Sequence, residues 1–182
     1  MKENLLILPA VLLAILLINP NPLYQNEAKT AESIQYHATV CIYKNGELVY
    51  CGHNLLTDIG KEYIEDQLIS PNSQASLRYI SLSNSSTDCT ASSTILPGEL
   101  TIGGLSRANC TITDLGNGKW SCEYTFTLTD TVYDIRQAGY NWNSTPNSDN
   151  NLFACDTFPA ISLESGDTLT VRWNVTFNAT SG

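Results

Sequence analysis

The clearest pattern in the chain is alternation between apolar and polar side chains. In residues 168–177 (TLTVRWNVTF) and 120–129 (WSCEYTFTLT), the apolar side chains occupy every second position. Residues 34–42 give a third segment of this kind, with Ile34, Tyr36, Ala38, Val40 and Ile42 on one face. A period of two predicts β-strands with one face on a core.

Shorter apolar segments and turn signals complete the pattern. Residues 78–83, 100–102 and 160–163 are predicted as further strands, and turns are indicated at Asn45-Gly46, Asn117-Gly118 and residues 164–167. One helix is predicted from Thr57, a candidate N-cap, with Ile59, Tyr63 and Leu68 on one stripe. We therefore expect an all-β fold, a β-sandwich or jelly roll with one short helix, formed by a single domain over residues 31–182.

Residues 1–30 are predicted to lie outside this domain. Leu5–Ile18 is an uninterrupted apolar run of 14 residues that follows Lys2 and ends at Asn19-Pro20. A membrane-spanning helix needs about 20 apolar residues, so the run is typical of a signal peptide. The potential cleavage positions near Ala28 and Ala31 are indistinct, and a retained hydrophobic anchor is the alternative.

The composition excludes several classes of function. Charged residues make up 15% of the chain, and the formal net charge is −9 with no basic cluster. An acidic chain of this kind is not expected to bind nucleic acid or anionic membrane surfaces. We expect contact with a membrane only through the N-terminal signal or anchor.

The chain has six cysteines, and no two of them form a C-x-x-C motif. An even number behind an export signal predicts three disulfides and a secreted or cell-surface location. Cys110 and Cys122 face inward across a predicted turn. A two-residue turn at Asn45-Gly46 would put Cys41 and Cys51 on opposite faces, whereas a three-residue loop would pair them. If both of these pairs form, the remaining pair is Cys89 with Cys155.

Five N-x-[ST] sequons are candidate sites of N-glycosylation. They lie on predicted outward strand positions or in polar loops, at Asn84, Asn109, Asn143, Asn174 and Asn178. Glycans there would leave the core undisturbed. Asn and Thr are also common on exposed strand faces without modification.

No pattern of catalytic residues stands out, and we expect no enzyme and no catalytic or metal site. Neither His37 nor His53 has the context of a triad histidine. A structural calcium ion is conceivable because Asp130, Asp134, Asp149 and Asp156 lie in predicted loops, but their spacing matches no calcium motif. Trp142, in the loop GYNWNST, is the candidate aromatic platform if the domain binds carbohydrate.

Four segments of the chain resemble a family of secreted archaeal β-sandwich proteins that build extracellular filaments, the thread or pilin-like subunits. They are residues 54–60 (NLLTDIG), 79–83 (YISLS), 96–100 (LPGEL) and 166–173 (GDTLTVRW), and the resemblance covers most of residues 32–180. Similar segments occur in tail-associated structural proteins of viruses. The resemblance implies subunits that join when the N-terminal strand of one fills a groove in the next, protected by disulfides and glycans.

The residues fit strand donation in two ways. Residues 23–40 could supply the donor, with Tyr24, Ile34, Tyr36, Ala38 and Val40 as its pocket-filling side chains. Alternatively, residues 34–42 form an ordinary first strand paired with residues 48–51, and only the chain before about Ser33 is donated. We expect a secreted filament subunit whose partners are its own copies. The alternatives are an anchored or viral surface domain and a secreted carbohydrate-binding module.

Overall fold

The computed structural model describes residues 32–70, 74–131, 133–148 and 150–181. The chain divides into two units, one of residues 34–180 and one of residues 1–33 with 181–182. The predicted signal or anchor, residues 1–30, and Tyr24 lie outside the described residues.

The described residues form two antiparallel five-stranded sheets and one helix, as predicted for an all-β sandwich. The first sheet has the strand order β2-β1-β10-β7-β6, and the second has the order β3-β9-β8-β4-β5. In chain order the elements are β1 Glu32–Lys44, β2 Glu47–His53, β3 Leu55–Leu56, α1 Asp58–Ile69, β4 Tyr79–Ser83, β5 Ala108–Asn109, β6 Thr111–Gly116, β7 Lys119–Thr127, β8 Tyr133–Asn141, β9 Leu152–Leu163 and β10 Thr168–Ser181.

The core lies between the two sheets and is built from the alternating side chains. Val40, Val171 and Trp173 of the first sheet and Ile80 and Tyr140 of the second are fully buried in one apolar cluster. The rings of Tyr140 and Trp173 stack across the sandwich with their centroids 5.4 Å apart. The inward parity predicted for Trp173 is therefore confirmed.

The helix α1 starts where the sequence indicates. The Oγ1 atom of Thr57 accepts a hydrogen bond from the Gly60 N–H at 3.0 Å and donates to the main-chain oxygens of Leu152 and Phe153. Tyr63 is buried, but Leu68 is 80% exposed, so the predicted stripe ends before the last turn of the helix.

A second, smaller core covers the outer face of the second sheet. The segment between β4 and β5, residues 84–107, lies over this face, and we call it the strap. Leu96 of the strap is fully buried with Leu152 of β9 and the disulfide between Cys89 and Cys155. The predicted strand at residues 100–102 does not form, because Leu100 instead packs into the core and donates its N–H to the Leu82 oxygen at 2.8 Å.

A buried ion pair fixes the end of the strap. Arg107 donates two hydrogen bonds of 2.7 Å to the carboxylate of Glu99, and neither side chain is exposed. Arg107 also donates to the Asn143 main-chain oxygen and the Asn151 amide oxygen. The strap is therefore joined to the loop that connects β8 and β9.

Candidate assembly site

An apolar groove of about 410 Å³ lies between the end of the first sheet and α1. Among the described residues, those that line it are aliphatic or aromatic apart from the amide of Gln67; they are Ile34, Tyr63, Ile64, Leu68, Leu77, Trp120, Phe153 and Phe177. The Tyr63 hydroxyl donates to the Ala75 main-chain oxygen at 3.1 Å, and burial raises its pKa above the usual value. The described lining of the groove therefore includes no charged side chain and suits an apolar occupant.

Two side chains of the groove are unusually exposed for their size. Ile34 is 77% exposed and Leu68 is 80% exposed, and Ile69 beside the groove is 71% exposed. Covering a fully exposed side chain of this kind contributes about 1.5–3 kcal/mol before the costs of association. An apolar segment that covers both groove residues would thus gain several kcal/mol from burial alone.

The predicted donor side chains lie in different environments. Ile34 lines the groove, while Tyr36 packs edge-on against Phe153 with ring centroids 5.7 Å apart. Ala38 and Val40 are buried in the core. In this structure residues 34–42 belong to β1 (Glu32–Lys44), which lies between β2 and β10, so a donated segment would have to lie upstream of Glu32.

The open sheet edges are interrupted. Register shifts occur in the pairing of β2 with β1 between Ile42 and Tyr43, and in β6 between Asp114 and Gly116. In the second sheet β3 pairs only with Ala154 and Cys155, which leaves the remainder of that β9 edge without a strand partner among the described residues. That remainder contains Pro159 and another register shift. Bulges and proline hinder strand addition, so the groove is the more accessible apolar feature.

All six cysteines form disulfides, as predicted. The pairs are Cys41–Cys51, Cys89–Cys155 and Cys110–Cys122. We call Cys41–Cys51 the hairpin disulfide and Cys89–Cys155 the strap disulfide. Asn45-Gly46 is a two-residue turn, but a bulge at Val49 shifts the register so that Cys41 pairs directly with Cys51. The expectation that a two-residue turn separates these cysteines was wrong because it assumed a regular ladder.

The sequons differ in their accessibility. Asn84, Asn109, Asn143 and Asn178 are exposed, whereas Asn174 is half-buried within β10. The Asn143 amide oxygen accepts a hydrogen bond from the Thr145 N–H at 2.8 Å. These positions leave room for glycans at four of the five sites.

The described residues that were candidates for catalysis or calcium binding do not lie together in one site. His37 is exposed and contacts Gln35, and the described residues contain no cluster of three or more His, Cys, Asp or Glu side chains that could hold a metal ion. Of the candidate calcium ligands, Asp149 lies outside the described residues, and the other three lie on separate elements: Asp130 between β7 and β8, Asp134 on β8 and Asp156 on β9.

Trp142 does not form an open platform for a sugar. It is 8% exposed, and its ring stacks on Tyr63 with centroids 4.7 Å apart. The carbohydrate-binding interpretation therefore loses its aromatic candidate.

Asp156 on β9 has an unusual environment. It is 7% exposed and lies near the Tyr50 hydroxyl, in a polar pocket with His53 and Asp88. Burial raises the pKa of its carboxyl group from 3.8 to about 6, against the opposing effects of Tyr50, the Thr157 main chain and His53. This raised pKa links the stability of the fold to pH.

Sequence patterns did not identify the groove. Trp120 and Phe177 follow the inward parity of their strands, and that parity does not reveal that the sandwich is open at this end. The exposed Leu68-Ile69 pair at the end of the predicted helix was the available signal.

No protein-family model, curated protein or solved structure matches this chain. In the part of the chain that the structure describes, no helix has the length and hydropathy needed to cross a membrane. The three disulfides indicate an oxidising, extracellular environment.

Proposed function

We propose that this chain is the structural subunit of an extracellular filament on the cell surface. Copies join head to tail: the N-terminal segment of one copy, upstream of Glu32, docks in the apolar groove of the next. The main observation that supports the proposal is the apolar groove, in which the large side chains of Ile34 and Leu68 are exposed. Ile34 also lies shortly after the segment we propose to be donated.

The chemistry of the segment suits the groove. Residues 23–31 begin with Leu23-Tyr24, two large side chains that can enter an apolar groove, and continue with polar residues and two alanines. An aromatic or aliphatic anchor in a pocket supplies much of the binding energy at protein interfaces. Tyr24 is therefore the anchor that we propose for the donated segment.

A contact between the N-terminus of one copy and the groove of another is heterologous. Contacts of this kind do not close on themselves unless a rotation forms a ring, so they propagate as fibres. The proposal requires cleavage upstream of Leu23 rather than near Ala28 or Ala31, because only that processing keeps Leu23-Tyr24 in the mature chain and lets assembly start outside the cell. The disulfides and glycans at the exposed sequons would protect the exported polymer.

The test uses the exported, processed protein and three single variants. Leu68→Asp places a charge in the groove, and Tyr24→Asp places one in the donated segment. Leu115→Asp is the matched control, because Leu115 is 58% exposed on β6 and does not line the groove. Circular dichroism verifies the fold of each variant, and electron microscopy with sedimentation measures assembly.

We expect filaments from the wild type and from Leu115→Asp, and monomers from the other two variants. A mixture of Leu68→Asp with Tyr24→Asp should stop at heterodimers, because one variant can only donate and the other can only accept. Filaments that are insensitive to Leu68→Asp, or a wild-type protein that remains monomeric after processing, would contradict the proposal.

A further inference from the structure

Two Asn-Gly turns of this fold have the same backbone shape. Asn45-Gly46 connects β1 to β2, and Asn117-Gly118 connects β6 to β7. Both asparagines have φ of 50°, and the glycines have φ of 87° and 70°. These are the positive φ angles of the two-residue hairpin turns that favour Asn-Gly. None of the described residues accepts a hydrogen bond from either glycine N–H.

The side-chain amide of Asn45 is held on both sides. Its Nδ2 atom donates to Asp167 at 2.8 Å, and its Oδ1 atom accepts hydrogen bonds from the N–H and the hydroxyl of Thr168 at 2.9 and 3.3 Å. Asp167 is held in turn by Lys44 at 2.9 Å. The Asn45 amide can approach its own main chain only after these bonds open.

The side chain of Asn117 has no such partners. It is exposed, and among the described residues no side-chain or main-chain group forms a hydrogen bond with it. The preceding Asp114 bonds to the Gly116 N–H instead. The amide of Asn117 is therefore free to rotate toward the nitrogen of Gly118, which has no side chain to obstruct it.

We propose that Asn117 is a site of spontaneous deamidation in the folded protein and that the Asp167–Thr168 contacts protect Asn45 from the same reaction. The Gly118 nitrogen loses its proton to solvent and attacks Cγ of Asn117, so that a C–N bond forms and Nδ2 leaves as ammonia. Water then opens the five-membered imide at either carbonyl, which gives aspartate or isoaspartate. Water and base are the only co-reactants.

The isoaspartate product changes the turn. It places one additional methylene in the main chain next to Gly118, whose oxygen accepts a hydrogen bond of 2.9 Å from the Phe177 N–H. A Cβ at Gly118 would lie 2.9 Å from the Phe177 oxygen, so the turn has little space in which to adjust. Phe177 lines the groove, and the modification would therefore disturb one groove wall.

The experiment incubates the intact exported protein in mildly alkaline buffer made with ¹⁸O-labelled water and follows each turn by peptide mass spectrometry. We expect Asn117 to take up the label roughly ten to a hundred times faster than Asn45, because hydrogen bonds of ordinary strength must first open at Asn45. Asp167→Ala should raise the Asn45 rate and leave Asn117 unchanged. Hydrogen exchange at the Phe177 amide should accelerate as isoaspartate accumulates.

A denatured, reduced sample shows whether the fold causes the difference. In that sample the two asparagines should react at similar rates, because both precede glycine. Equal rates in the folded protein, a faster reaction at Asn45, or a rate ratio that persists in the denatured chain would each overturn the proposal.

Discussion

The substitution Asp156→Asn should stabilise the domain at neutral pH and leave its stability unchanged in acid. The Asp156 carboxyl group is 7% exposed, and burial raises its pKa from 3.8 to about 6. Since the folded state holds the proton more tightly than the unfolded chain, the free energy of unfolding falls as pH rises between these two values. Below about pH 3 the carboxyl group is protonated in both states and imposes no penalty.

The magnitude follows from the change in pKa. A rise of about two pKa units corresponds to about 3 kcal/mol at 1.36 kcal/mol per unit, and this is the full penalty above about pH 6. Residual exposure and relaxation around Asn reduce the expected gain to about 2 kcal/mol at pH 7. Asp167 acts with the opposite sign at lower pH, because hydrogen bonds from Asn45, the Glu164 main chain and Lys44 lower its pKa to about 2.

Urea denaturation at a series of pH values between about 3 and 8 measures this effect. The difference in unfolding free energy between Asp156→Asn and the wild type should be close to zero in acid and should reach its maximum above about pH 6. Glu164→Gln, which removes an exposed carboxylate from the turn after β9, is the control variant measured across the same series. A constant difference across the series, or a loss of stability at neutral pH, would refute the reasoning.

Three further predictions concern the strap and its attachments, and urea denaturation at neutral pH measures all three. Replacing both cysteines of the strap disulfide with alanine should lower the free energy of unfolding by about 4 kcal/mol, and the same change in the hairpin disulfide should lower it by about 3 kcal/mol. The difference follows from their sequence separations of 66 and 10 residues. Equal losses would contradict the chain-entropy explanation. Arg107→Leu should cost about 3–5 kcal/mol because it leaves the buried Glu99 carboxylate with the Asn147 N–H but without its positively charged partner. A combined Glu99→Leu and Arg107→Leu variant should lose less, and a double variant that loses the sum of the two single changes would argue against coupling. Leu96→Ala should lower the free energy of unfolding by about 2–5 kcal/mol, since this side chain is fully buried in the smaller core beneath the strap. A loss below about 1 kcal/mol would mean that the strap is only loosely packed.

The sequence predicted the strands that have one face on the core and one face in solvent. β10 and β7 appear close to their predicted bounds, since Val171 and Phe126 are buried and their neighbours face outward. β8 was not predicted, because the strap covers its outer face. Gln137 is buried there and donates hydrogen bonds of 3.1 and 2.7 Å to the main-chain oxygens of Ser85 and Thr87. A polar side chain buried in this way removes the alternation that identifies a strand.

The cysteine pairs were proposed from local geometry and elimination, and the bulge at Val49 explains why the simple turn rule failed for Cys41. The groove depends on how four strands (β1, β7, β9 and β10) and one helix meet, and this arrangement is not a property of any single segment. The sequence patterns therefore predicted the two-sheet architecture of the fold but did not predict the apolar groove.

The most direct test of the filament proposal is crosslinking mass spectrometry on filaments assembled from equal amounts of isotopically light and heavy protein. Lys29 lies in the segment that we propose to be donated, and Lys61 lies on the helix α1, which forms one wall of the groove. Docking of the N-terminal segment in the groove of the next copy predicts Lys29–Lys61 crosslinks that join light to heavy chains, together with a mature N-terminus at or just before Leu23. Crosslinks only within chains of one label, or a monomer that retains Leu5–Ile18, would contradict it.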